Sequence, residues 1–236
     1  SERACRAADF LLSELWDPER GQLYRCRLDR DPRHPAVAED YAFLVRALLD
    51  LHEATGEIRW LLNAADIQAA FDRHHADDAG GGYFDARRDC PDLPAVLKSI
   101  DDAAGLSPNA VAGQNLVRWA GLLRTPGAAE KARGLLQAFA APLRAGSGSV
   151  AGLGGVANGL IHPPRRIILV GPAADPQARA ARALLASTPP GRWRVLSVED
   201  EAARRWLAGT GSLPPAVAAH PLDRTGFFLD EGAAGE

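Results

Sequence analysis

The sequence predicts a mainly α protein. Helical hairpins over 1–162 form part of an α/α toroid or solenoid, and a small α/β unit follows over 163–236. Three observations carry this. Apolar residues recur at helical spacing in successive segments of the first 162 residues. A stretch after the first helix, 16–24, is matched sixty residues later by 76–84. Beyond Pro163-Pro164, short continuous apolar runs alternate with amphipathic segments. A helix-pair unit repeated at such a period is the mark of toroids and solenoids.

The elements follow in order. "ERACRAADFLLSELW" has helical spacing and stops before Asp17-Pro18. In "AEDYAFLVRALLDLHEATG", Tyr41, Leu44, Val45, Leu48, Leu49 and Leu51 make one apolar stripe, and Gly56 ends the helix. "EIRWLLNAADIQAAFDRHH" returns through a very short turn, which makes an αα-hairpin. "SPNAVAGQNLVRWAGLL" and "GAAEKARGLLQAFAAPL" form a second hairpin around Thr125-Pro126, and "SGSVAGLGGVANGLI" closes the helical part. The connections between hairpins read as Gly-rich loops. "RRIILVG" and "RWRVLSV" then read as buried strands. Between them, Asp175-Pro176 supplies an N-cap and a proline at the first helical position. With "EDEAARRWLAG" as a further helix, the order β-α-β-α points to a parallel unit, and "DRTGFFLDEGAAGE" adds a strand.

Bulk properties exclude several function classes. A net charge of −3 gives no basic field for nucleic acid or an anionic membrane, and no apolar run is long enough to span one. Cys5, Cys26 and Cys90 form no CxxC, so a zinc site or redox dithiol is not expected and a reducing cytoplasm is. Methionine is absent, so Ser1 is not an intact translation start. The chain is therefore expected to be processed or to continue a longer polypeptide.

Motifs for cofactors do not survive their context. Gly152 to Ala157 satisfies G-x-G-x-x-A but follows no strand. "ILVGPAADP" follows a strand but lacks the lysine of a phosphate loop. His52-Glu53 begins like HExxH, yet the second histidine position is Gly56. His74 and His75 are adjacent and diverge by about 100° on a helix, so no metal site is expected and a surface position is. Asp77, Asp78, Asp85 and Asp89 miss EF-hand spacing. No cofactor is predicted.

"DDAGGGYFD", residues 77–85, raises its own question, because three glycines precede two rings. The glycines permit a sharp reversal at a helix end, and the rings re-enter as a short extended segment. Tyr83 and Phe84 then either plug the gap between hairpins or offer faces for a ligand to stack on.

Four stretches, in order, carry a resemblance. They are "EDYAFLVRALLDLHEATGEIRWLLNAADIQAAFD", "DDAGGGYFD", "DDAAGLSPNAVAGQNLVRWAGLL" and "RRIILVG". Together they resemble the large thioredoxin-domain-containing proteins, which include the spermatogenesis-associated thioredoxin-like proteins and their bacterial relatives. Members have an N-terminal thioredoxin-like domain and an (α/α)6 toroid of the six-hairpin glycosidase type. The resemblance implies that this chain is the C-terminal part: half the toroid, residues 1–162, plus the terminal unit. The thioredoxin module and its CxxC are absent, so no redox activity carries over. In the stretch resembling D-G-A-x-P-S-G-N, Asp102, Ser107 and Asn109 match, whereas Ala103, Leu106 and Pro108 depart. The last strand lacks the family's cysteine.

The resemblance places candidate acid/base groups at Glu39, Asp40 and Asp102, because toroid glycosidases and epimerases hold carboxylates in the central cavity. Tyr41, Tyr83, Phe84, Ser107 and Asn109 are the substrate-binding candidates. The structural alternative is capping: carboxylates suit a helix N-terminus, and Ser107 is a good N-cap. Two functions are thereby expected. One is binding or processing of a sugar or sugar derivative. The other is a non-catalytic scaffold or interaction module for a thioredoxin-like domain. The partners are a sugar-like small molecule, the missing toroid half or the thioredoxin-like domain; nucleic acid and membrane are not expected.

Overall fold

The computed structural model describes residues 2–29, 31–90, 93–124, 126–188 and 193–230. Helix α1 (Glu2–Glu14) leads into strands β1 (Trp16–Asp17), β2 (Gln22–Leu28) and β3 (Asp31–Pro35), an antiparallel sheet in the order β1-β2-β3. This sheet corrects the expectation of a Gly-rich loop. Only Gln22 and Leu23 of β2 are buried, and β3 is exposed throughout, so no alternating apolar pattern marks these strands. Pro32 and Pro35 sit on the edge strand, where proline is tolerated.

The sixty-residue repeat is a repeat of bonds. Trp16 pairs with Leu23, and Ala76 forms an isolated bridge with Tyr83. Asp17 Oδ1 accepts from Arg20 N at 3.0 Å, and Asp77 Oδ1 accepts from Gly80 N at 2.8 Å. Gly21 and Gly81 occupy the same step with φ of 58° and 74°. Tyr24 N donates to Leu15 O, and Phe84 N donates to His75 O. Each turn leaves one amide for the following helix to satisfy. Leu23 N donates to the Tyr41 hydroxyl at 3.0 Å, and Tyr83 N to Asn109 Oδ1 at 2.8 Å.

Helices α2 (Ala38–Thr55) and α3 (Ile58–His75) form the first hairpin; Gly56, at φ 81°, is the left-handed cap between them. Helix α4 (Pro108–Leu123) starts on Ser107, whose Oγ accepts from Ala110 N at 3.2 Å, and pairs with α5 (Pro126–Ala138). The expected single helix through Leu143 breaks at Phe139 and resumes as α6 (Ala140–Arg144). Pro142 has no N–H to give to the carbonyl four residues back, and its ring crowds that carbonyl. A short 3-10 turn (Gly148–Val150) precedes α7 (Ala151–Ile161). Helix α4 packs between α2 and α7, while α3 backs α2 and α5 backs α4. This row of three helices backed by two others is a helical-hairpin architecture. It buries Trp60, Leu48, Leu49, Leu61, Leu122 and Leu153.

The terminal part holds β4 (Arg165–Val170), α8 (Pro176–Ala186), β5 (Trp193–Val198), α9 (Glu201–Gly209), α10 (Pro215–Ala218) and β6 (Gly226–Asp230). The sheet order is β5-β4-β6, with β4 parallel to β5 and antiparallel to β6. The Asp175 cap forms as read, accepting from Gln177 N at 2.7 Å. The strand expected in the tail is β6; residues 231–236 of that tail, and Thr125 of the second hairpin's turn, lie outside the described residues. No described helix is long and apolar enough to cross a membrane.

The C-terminal ends of α2 and α4 meet this sheet. Arg166, buried on β4, donates to Leu122 O at 2.6 Å and to Asp230 Oδ2 at 2.9 Å. Ser212 Oγ donates to Leu123 O, and Glu199 Oε1 accepts from Ile58 N. His52 has one ring nitrogen 3.4 Å from Ser197 N and the other 3.1 Å from Glu57 O.

Candidate functional site

The sequence-selected residues gather at the N-terminal ends of α2, α4 and α7. Bonds place those three ends together: Ala38 N donates to Asp85 O, and Asn109 on α4 holds Tyr83, two residues earlier. Asp102 reaches the start of α7.

Asp102 is a clip. Its Oδ1 accepts from Ser107 N at 2.8 Å and its Oδ2 from Gly152 N at 2.6 Å. One carboxylate therefore fastens the approach to α4 onto the first turn of α7, where the helix dipole favours it. Gly152 is required beside it, since a Cβ there would meet Ala110 Cβ at 2.7 Å and Leu106 Cδ2 at 2.8 Å. Asp40 accepts from Val37 N at 2.9 Å as the third residue of α2, and pairs with Arg25 at 3.0 Å. Glu39 is exposed beside it.

Asn109 is fully buried. Its Oδ1 takes the Tyr83 amide; its Nδ2 donates to Tyr83 O at 2.9 Å and Ser99 O at 3.0 Å. Tyr83 stacks on Phe71 at 4.2 Å, and Tyr41 stacks on the other side of that neighbourhood at 5.5 Å from Phe71. The Tyr83 hydroxyl donates to Asp72 Oδ1 at 2.7 Å, and burial together with that carboxylate raises it well above the usual phenol range. Phe84 is half-buried under the Lys98 ammonium, 4.8 Å from its ring centroid. The Tyr83 ring is therefore packed against α3, with its hydroxyl on Asp72.

The acids of the glycine turn take separate partners. Asp77 pairs with Lys98, Asp78 with Arg88, Asp85 with Ser99 and Asp89 with Arg87. The Arg87 hydrogen bonds lower the Asp89 carboxyl to about 2. His75 corrects a sequence expectation, because it is fully buried rather than at the surface, and His52 is fully buried as well. His75 packs against Tyr41 and Phe71, with one ring nitrogen 3.0 Å from Phe84 O. Burial lowers both histidines to about 4, so both are neutral at neutral pH.

A second feature, at the opposite end of the helix row, escaped sequence reading. A cleft of about 850 Å³ opens between α2, α4 and α7 on one side and β4, β5 and the end of α8 on the other. Arg46, Asp50 and Glu53 enter it from one face of α2 at i, i+4 and i+7 spacing. Arg118 pairs with Asp50 at 2.7 Å and Glu53 at 3.2 Å, and Arg194 stands 3.8 Å from Glu53. Burial pushes the Arg194 guanidinium below its ordinary value. None of the sequence-selected candidates lines this cleft. Its residues run from 46 to 194 with no local motif; only the i, i+4, i+7 charges on α2 could have drawn attention to it.

No protein-family model matches the chain. Among curated proteins, spermatogenesis-associated protein 20 of Rattus norvegicus is 34% identical over 192 residues, covering 78% of this chain. The Mus musculus protein of the same name is 33% identical over 192 residues, again 78% of this chain. The Homo sapiens protein is 36% identical over 150 residues, 60% of this chain. The chain spans about a quarter of the length of the rat and mouse relatives, 24% of each, and 19% of the human one.

Proposed function

We propose that this chain, homologous over most of its length to spermatogenesis-associated protein 20, belongs with the thioredoxin-domain-containing family its motifs resemble and serves as a non-catalytic scaffold within a longer protein. In this reading, residues 1–162 are an arc of an (α/α)6 toroid of the six-hairpin type and residues 163–236 are a separate small α/β unit that closes one end of the arc. The other toroid helices and a thioredoxin-like domain are its partners. A reducing compartment such as the cytoplasm suits its free Cys5, Cys26 and Cys90.

One observation carries the reading. Both Asp102 oxygens are engaged by backbone N–H groups, so the carboxylate of the best-matched motif spends its acceptors on joining α4 to α7. Asn109 and Tyr83, at the same end, lock the glycine turn to α4 in the same way. A sugar-binding reading draws instead on exposed Glu39 and half-buried Phe84, which share this end of the row.

The test compares Asp102→Asn with Glu39→Gln. On the scaffold reading, Asp102→Asn opposes an amide donor to a backbone donor and lowers stability by about 1–3 kcal/mol in urea titration. Glu39→Gln stays within roughly 0.5 kcal/mol of the parent, and no sugar of a broad panel raises Tm. A sugar that raises Tm of the parent but not of Glu39→Gln overturns the scaffold reading in favour of the second.

A further inference from the structure

The cleft at the C-terminal ends of α2, α4 and α7 carries an inference independent of the scaffold reading, which rests on the opposite end of those helices. Most of its charge is matched within the protein. Arg118 and Arg194 face Asp50 and Glu53, two guanidinium groups against two carboxylates. Arg165 at the rim has partners of its own, the Trp193 ring among them. Arg46 is what remains. It lines the cleft half-buried, without an ion pair or side-chain hydrogen bond among the described residues. The cleft therefore offers a ligand one uncommitted positive charge.

Carboxamides with spare hydrogen-bonding capacity share the cleft with it. Asn115 Nδ2 donates to Ala42 O at 2.8 Å, the carbonyl that the Arg46 amide meets one helical turn on, so the Asn115 side chain lies at the level of residue 46. Its Oδ1 is buried with no hydrogen-bond partner among the described residues. Gln114, beside it on α4, gives its Nε2 to Gly152 O at 3.0 Å, and its Oε1 has no partner among the described residues. The Gln114 amide lies over Gly155 of α7, where a Cβ would meet Nε2 at 3.0 Å. Asn158, three residues on from Gly155, is exposed and makes no side-chain hydrogen bond among the described residues.

We propose that this cleft binds a small hydroxy-monocarboxylate. One guanidinium matches one carboxylate in charge, and its fork suits both carboxylate oxygens. A dianion would exceed the one charge on offer. Carboxamide oxygens accept from hydroxyls, and the Asn158 side chain can both donate and accept. An acceptor left unmatched in the wall favours a hydroxyl over an apolar group there. A volume of about 850 Å³ lies inside the range of about 300–1,000 Å³ usual for small-molecule sites.

The experiment is thermal unfolding of the full 236-residue chain at fixed ionic strength, set with sodium chloride. Lactate, glycerate and quinate are titrated in turn, each beside its own neutral amide. At least one acid is expected to raise Tm saturably while its amide does not. Arg46→Gln is expected to weaken that response at least about tenfold, the loss of one charge-assisted contact. Asn158→Asp sets a carboxylate against the ligand's and is expected to weaken it at least about threefold. Its exposed side chain holds nothing in the fold, so it decides the matter if Arg46→Gln unfolds early. The proposal is overturned if no acid of the three raises Tm, if the amides raise it equally, or if a folded variant of either kind responds as the parent does.

Discussion

Asn109 shows how a single side chain can stand in for a strand. It gives one acceptor and two donated bonds to Tyr83 and Ser99, with no exposure to water. Asn109→Ala leaves the Tyr83 amide and two carbonyls unmatched in a buried setting. It is expected to cost about 2–4 kcal/mol in urea unfolding, above the usual range for a surface change. A loss under about 0.5 kcal/mol would mean the turn is held by its stacking alone. The buried histidines set a pH dependence. His52 and His75 are held at about 4 in the folded protein, below the ordinary 6.5. Between these values the unfolded chain binds the extra protons, so stability is complete above about pH 6.5 and falls as pH drops towards 4. The loss is on the order of 3 kcal/mol for each histidine. Urea midpoints from pH 8 to 4 check it, and His52→Gln is expected to flatten the slope over that window.

At the scale of the element, the two turns offer a controlled comparison. Gly21 and Gly81 both require positive φ, so alanine costs each about 1 kcal/mol or more in backbone strain. Their surroundings differ. A Cβ on Gly21 meets Arg73 Nη1 at 2.7 Å, the far end of a side chain that can swing away. A Cβ on Gly81 meets Gly134 O at 2.5 Å, backbone of α5 that cannot. Gly81→Ala is therefore expected to destabilise at least about twice as much as Gly21→Ala, read from paired denaturation curves. Equal losses would mean that α5 yields freely. These turns were legible in the sequence because acid, glycine and ring sit at fixed local offsets, as did the caps Ser107, Gly56 and Asp175. The strand β2 was not. Its Leu23 is satisfied by Tyr41 and Ala36, partners 18 and 13 residues away, and its polar face gives no alternation. The break at Phe139 was legible in principle, through Pro142.

Over the whole molecule, legibility follows the range of the interactions. The candidate residues at the N-terminal end of the helix row form local motifs, so sequence found them, although what they bond to came only from the structure. The opposite cleft is assembled from distant residues, and no motif announces it. The same long-range character governs how the molecule should unfold. The terminal sheet is tied to α2, α3 and α4 by Arg166 to Leu122, Ser212 to Leu123, Glu199 to Ile58 and His52 to Ser197. Arg166 is the decisive tie, since it also pairs with Asp230 of β6 and is 2% exposed. Removing it leaves the Leu122 carbonyl unmatched and Asp230 with Arg124 at 3.2 Å as a remaining partner, a loss of about 1–3 kcal/mol. The parent chain is expected to unfold in one transition, with far-UV circular dichroism and tryptophan fluorescence coincident. Arg166→Met is expected to let the sheet open before the helices, read as faster amide hydrogen exchange in β4, β5 and β6 than in α2, α3 and α4. Two transitions in the parent would instead make the sheet and the helix row independent folding units. The cleft between them would then open without unfolding either one.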